Sequence, residues 1–131
     1  MLRIGAVAKQ TGLGIETVRF YEREGLISKP SRTSSGYRQY PETVVKQLRF
    51  IQHAKNLGFS LKEIAELISL KNSTESNCTG IKLAAQARLD DIQNKIDALE
   101  RMKQSLLPLL QQCQSDKPIS DCPILNNLDS N

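Results

Sequence analysis

IGAVAKQTGLGIETVRFYEREGLI, residues 4–27, divides at its glycines into two short segments with helical apolar spacing. Ile4, Val7 and Ala8 share one face of the first, and Gly12 follows as a stop signal. The second, from Glu16 to Arg23, carries Ile15, Val18 and, less regularly, Phe20 or Tyr21 on its apolar side, and Gly25 ends it. Two short helices joined by the tight TGLG turn predict a helix-turn-helix-like unit.

Outward from this unit, Leu26 to Tyr40 is rich in turn formers: Ser28, Pro30, Ser31, Ser34, Ser35 and Gly36. Gly36 to Tyr40 alternates like a short strand, so a small hairpin-like wing is expected after the second helix. Pro41 at a first helical turn opens a third helix through about Asn56, with Val44, Val45, Leu48 and Ile51 inward. Ser60-Leu61-Lys62-Glu63 is a capping box, with Phe59 and Ile64 at the staple positions, and predicts a fourth helix to about Leu70. The polar stretch from Lys71 to Thr79 is a connector. After Gly80 there is no further glycine, and Leu89, Ile92, Ile96, Leu99, Leu106 and Leu110 step by threes and fours, interrupted by Lys103. So narrow a stripe encloses no core and calls for a partner helix, with a two-chain coiled coil as the expected answer and packing on the chain's own N-terminal half as the alternative. Pro108 within it predicts a kink or fraying of the last turn.

Length and charge bound the function. The 131 residues suit one domain or a small domain with an extended appendage. No run approaches a membrane span, and MLRIGAVAKQ lacks the apolar core of a signal peptide, so a cytoplasmic protein with no membrane partner is expected. Residues 1–58 carry ten Lys/Arg against four Asp/Glu, whereas residues 59–131 carry eight against ten. A basic first half joined to a mildly acidic remainder points to a polyanion partner for the first half, the alternative being a solvated basic face. There is no nucleophile–base grouping, phosphate loop or carboxylate pair at a plausible spacing, so an enzyme is not expected.

The N-terminal half resembles the MerR family throughout. Residues 4–27 resemble its winged helix-turn-helix opening, SGYRQY (35–40) its wing, and FIQHAKNLGFSLKEIAELISL (50–70) the helix pair that follows. The likeness continues through the long helix to the final CPIL (122–125), and the joint occurrence of TVRFYEREGLI, GYRQY and LGFSLKEI at these spacings makes it specific. The resemblance implies a mainly α fold: a winged helix-turn-helix DNA-binding domain with its helix-pair extension over residues 1–70, a connector over 71–79, an antiparallel coiled-coil dimerisation helix over 80–112, and a metal-binding loop with a short terminal helix over 113–131. It implies that the helix holding Thr17, Val18, Arg19 and Tyr21 enters the major groove, with Arg19 and Tyr21 reaching phosphates or base edges, and that Tyr37 and Arg38 on the wing contact phosphate. Phe20 and Tyr40 are expected to be packing residues instead. By the same resemblance, a homodimer binds a near-palindromic operator in double-stranded promoter DNA, and metal binding bends and untwists the duplex into a form that RNA polymerase uses.

Cys78, Cys113 and Cys122 cannot all pair within one chain, and as cytosolic thiols they are free, buried or ligands. A helix between Cys78 and Cys113 would be roughly 50 Å long, so those two cannot share an ion within one chain. Antiparallel pairing of two such helices brings Cys78 of one chain beside the partner's Cys113 and Cys122, and twofold symmetry makes two such sites per dimer. The turn-rich QSDKPISD segment (114–121) suits folding around an ion, with Ile124, Leu125 and Leu128 of a terminal helix packing over it. Three thiolates without a fourth ligand suit a soft ion in trigonal coordination. The chain lacks the adjacent cysteines and loop histidine of zinc-sensing relatives, and its Cys78 sets it apart from copper sensors. The spacing to Cys122 and the Pro-Ile-Leu after it look most like the mercury-sensing branch, so Hg(II) is expected ahead of Pb(II) or Cd(II). His53 has no ligand partner at a suitable spacing and is read as structural or surface.

Three other readings are weaker on the residues. A thiol-based redox sensor needs activated thiolates, yet Glu75 and Ser76 precede Cys78 and Asp121 precedes Cys122, with Lys117 the one counterweight. A metal-buffering protein leaves the basic half and the wing unexplained. A drug sensor needs an effector domain, for which the roughly twenty residues after the coiled coil are too few.

Overall fold

The computed structural model describes residues 1–74 and 77–130; Glu75 and Ser76 of the expected connector, and Asn131, lie outside them. The described chain forms two compact units, Met1–Ala85 and Gln86–Asn131.

The first unit opens with α1 (Ile4–Thr11) and α2 (Ile15–Arg23), matching the two segments read from their apolar spacing. The turn between them needs Gly12, whose φ of 74° lies in the left-handed region where a side chain is strained. A two-residue ribbon follows, β1 (Ser31–Arg32) paired antiparallel with β2 (Arg38–Gln39), the hairpin-like wing that the turn formers and alternation predict. Gly36, at φ 89°, closes its turn, with its N–H donating to the Thr33 carbonyl at 2.9 Å. Leu2 and Tyr40 exchange backbone hydrogen bonds at 2.7 and 2.6 Å, which ties the chain start to the end of the wing.

α3 (Thr43–Asn56) begins two residues after Pro41, and its apolar face supplies Val44, Leu48 and Ile51 to the centre of the core. Its polar side chains brace the neighbouring turns. Gln52 Nε2 donates to the Thr11 carbonyl at 2.9 Å, and Gln47 holds Ser28 by a reciprocal pair at 3.0 and 3.1 Å. α4 (Leu61–Lys71) starts at the predicted capping box: Ser60 Oγ accepts from the Glu63 N–H at 3.2 Å, and Glu63 Oε1 accepts from the Ser60 N–H at 2.8 Å. Val7, Val18, Tyr40, Ile64 and the α3 residues close one core from four helices and the wing, with the first turns of α5 contributing Ile81 and Ala84.

Tyr40 is the polar joint of this core. Its ring is fully buried, and its hydroxyl donates to Glu22 Oε1 at 2.5 Å, linking the wing to α2. Burial, with the Glu22 carboxylate beside it, pushes the Tyr40 hydroxyl up to about 12. The folded state therefore retains a proton that the unfolded chain loses near pH 10, so this contribution to stability is complete below pH 10 and disappears as pH rises through 12. Tyr40→Phe is expected to cost about 1–2 kcal/mol at neutral pH by removing the hydrogen bond. The gap between the urea midpoints of the two proteins should close between pH 10 and 12; a gap that stays constant would show that the hydroxyl does not titrate in that window.

α5 (Thr79–Gln112) runs for 34 residues through both units and buries none of its side chains fully. In the second unit Leu89, Ile96, Leu99, Leu106 and Leu110 of the predicted stripe are all more than half exposed, so the described residues leave these five uncovered. Asp91 pairs with Lys95 at 3.2 Å and with Arg88, each one helical turn away, and these cations hold its carboxyl below the ordinary range. Pro108 does not end the helix, which continues to Gln112; a proline costs one backbone donor and crowds the preceding turn, and this helix absorbs both. A single 3-10 turn (Ile119–Asp121) then leads into α6 (Pro123–Asp129), which begins at Pro123 as the residue pattern predicted. No helix among the described residues is long and apolar enough to cross a membrane.

Candidate nucleic-acid interface and thiol set

Four of the ten cationic side chains of the first half line one hollow. A concavity of about 840 Å³ is lined by Arg3, Arg19, Arg32 and Arg38, with Tyr37 on its wing side and the first turn of α1 on the other. Arg19 projects from α2 with its side chain 43% exposed; Nη1 reaches Glu16 at 3.4 Å, while Nε–H has no acceptor. Arg38 stands directly across the ribbon from Arg32, whose Nη1 donates to the Gly36 carbonyl at 3.0 Å. Tyr37 is 55% exposed, and the Arg3 guanidinium lies over its ring, 4.5 Å from the centroid. A concave surface with four guanidiniums from a helix, a ribbon and the chain start is suited to an extended anion.

The residues expected to contact DNA separate into two groups here. Arg19, Tyr37 and Arg38 line the hollow, and Thr17 is half-buried on α2. Val18 and Tyr21 face the other way, at 0% and 3% exposure, and are part of the core. Both belong to the apolar side that the spacing gives this helix: on a nine-residue helix the apolar face must be buried, and Val18 and Tyr21, three apart, are that face. Tyr40 is buried as expected, and Phe20 is partly buried against the core. Arg3 and Arg32 joined the hollow unannounced by any motif. Arg32 could have been found by extending the hairpin pairing back from Arg38; Arg3 depends on the Leu2–Tyr40 bridge, which no local pattern reveals.

The three cysteines are free thiols at the ends of α5. Cys78 is exposed immediately before the helix, in the first unit; Cys113 is half-buried just after it and Cys122 is half-buried before α6, both in the second unit. Among the described residues no three His, Cys, Asp or Glu side chains of one chain come together as a metal-holding group. The donor chemistry nevertheless fits a soft ion: three unbridged thiols, none fully buried, with the Cys122 backbone at a helix start. His53 is exposed on α3.

Comparison with known proteins places this architecture. Residues 2–71 match the family model described as MerR HTH family regulatory protein, and residues 45–109 match that described as MerR, DNA binding. A mercuric resistance operon regulatory protein of Bacillus cereus is 40% identical over 126 residues, covering 96% of each chain. The HTH-type transcriptional regulator CueR of Salmonella typhimurium is 35% identical over 127 residues, 97% of this chain and 91% of that one. The crystal structure of the transcription regulator PbrR691 from Ralstonia metallidurans CH34 in complex with lead(II) superposes with a TM-score of 0.87 at 31% identity, covering 98% of this chain and 99% of that one.

Proposed function

The chain belongs to the MerR family of helix-turn-helix regulatory proteins, and we propose that within it this protein is a homodimeric, Hg(II)-responsive activator of transcription. It is a metal-responsive DNA-binding regulator of that family and not an enzyme; relatives named for mercuric resistance and for a lead(II) complex leave the metal itself to its own residues. The observation that carries the reading is the placement of free thiols at both ends of one long helix whose apolar stripe is uncovered.

Two stripes close against each other by coiled-coil packing, with Ile96 and Leu99 near the middle of the seam. Antiparallel pairing would set Cys78 of one chain beside Cys113 and Cys122 of its partner, and these three thiolates would hold the soft ion, which would supply a Lewis-acid link between the chains. The chain's own part is to hold the thiols there and to transmit the change along α5 to the DNA-binding units. On the DNA side, α2 lies in the major groove with Thr17 and Arg19 toward the duplex, and Val18 and Tyr21 fix the helix from behind. Tyr37 and Arg38 clamp the phosphates flanking it. The protein acts in the cytoplasm, at promoter DNA, where a reshaped duplex becomes usable by RNA polymerase. The domain limits follow the same reading: DNA binding over residues 1–70, a connector over 71–79, dimerisation over 80–112, and metal binding over 113–131.

A promoter reporter driven by the DNA upstream of its gene, compared across Hg, Pb, Cd, Zn and Cu salts, tests the proposal. Induction is expected at the lowest concentration with Hg(II). A lower threshold for Pb(II) or Cd(II) would reassign the metal, and no response to any of the five would remove the metal-responsive mechanism.

A further inference from the structure

We propose that Arg3, outside both helices of the helix-turn-helix, is a phosphate ligand for duplex DNA, held in position by Tyr37. This rests on the reading of α2 and the wing as a DNA-binding surface and adds a third chain segment to it.

The backbone brings Arg3 to the wing. Leu2 and Tyr40 exchange hydrogen bonds at 2.7 and 2.6 Å as an antiparallel bridge, which places Arg3 next to Gln39 in the continued register. From that position Tyr37, two residues along from Gln39, is within reach of a long side chain. The Arg3 guanidinium lies over that ring, 4.5 Å from the centroid.

Held over the ring, the guanidinium carries five N–H donors, which the contact leaves without an oxygen acceptor. Among the described residues no carboxylate pairs with Arg3. Arg3 is exposed, and Arg19, Arg32 and Arg38 line the same hollow, so the donors face a region already short of negative charge. Arg32 directly opposite Arg38 is a like-charge pair that costs stability on a bare ribbon and is relieved by an anion. A strand of duplex DNA, with phosphates at regular intervals, meets guanidiniums spread from the chain start across to the wing better than one small anion does.

The test is titration of the duplex upstream of its gene with the full-length protein across a range of salt concentrations. Arg3→Ala should bind about tenfold more weakly. Its log–log salt slope should be shallower by about 0.9 for each Arg3 engaged. Arg3→Lys, which keeps the charge, should keep the slope while losing part of the affinity. Arg3→Gln, which can still lie flat on Tyr37 without a charge, should behave as alanine does and decides the matter should the alanine variant fold poorly. A wild-type slope in the uncharged variants overturns the proposal, whether affinity is unchanged or reduced, since Arg3 would then only support the wing. Failure of the unsubstituted protein to bind the duplex overturns the DNA-binding reading along with it.

Discussion

Serine at position 78 is expected to abolish metal-dependent transcription while leaving operator binding intact. Cys78 is exposed immediately before α5, far along the chain from the other two thiols, and it lies in the unit that carries the DNA-binding surface. Replacing one of three thiolates with a hydroxyl removes a soft ligand that a soft ion requires, so metal affinity should fall on the order of a hundredfold or more. Cys113→Ser and Cys122→Ser should do the same. Mixing supplies the sharper result. A heterodimer of a Cys78→Ser chain with a chain lacking both Cys113 and Cys122 restores one complete site if the site spans the two chains, because each contributes what the other lacks. One ion bound per heterodimer is the expected stoichiometry. No tight binding in the mixture would show that the three thiols act within one chain.

The second large effect concerns the uncovered stripe. Leu99 and Leu106 lie seven residues apart on α5 and are 63% and 56% exposed in the single chain. Leu99→Glu with Leu106→Glu places two carboxylates from each chain into the seam, where unpaired charge cannot be hydrated. The expected product is a monomer by sedimentation, with its first unit still folded because its core draws nothing from these positions. Operator affinity should fall by about two orders of magnitude or more, since one DNA-binding unit would engage one half-site without the linked second contact. A dimer of unchanged stability would place the dimer interface elsewhere on the chain.

Much of this protein is legible locally. The glycines after α1 and α2, the capping box at Ser60 and the three-four spacing of α5 each carry their structural meaning within a few residues, and the helices begin and end within two residues of where those signals put them. The three cysteines stand out as candidates in the sequence, because cysteines outside a helix stripe, in polar surroundings, have no packing role to explain them. Side-chain direction on α2 was less legible. Thr17, Val18, Arg19 and Tyr21 are consecutive or nearly so, and a resemblance assigns them a helix without deciding which of them that helix must bury. Packing against α1 within the shared core decides it, sending Val18 and Tyr21 inward.

By itself, then, the sequence determined the helix-turn-helix, the hairpin wing, the long unpartnered helix and the candidate thiols, because each depends on local backbone preference or on periodicity. Only the tertiary structure decided the composition of the arginine hollow. Arg3 and Arg38 are 35 positions apart in the chain and meet through a pair of backbone hydrogen bonds between Leu2 and Tyr40, with Tyr40 anchored in turn by Glu22 of α2. Such contacts join residues distant in sequence, and no local preference encodes the distance they span.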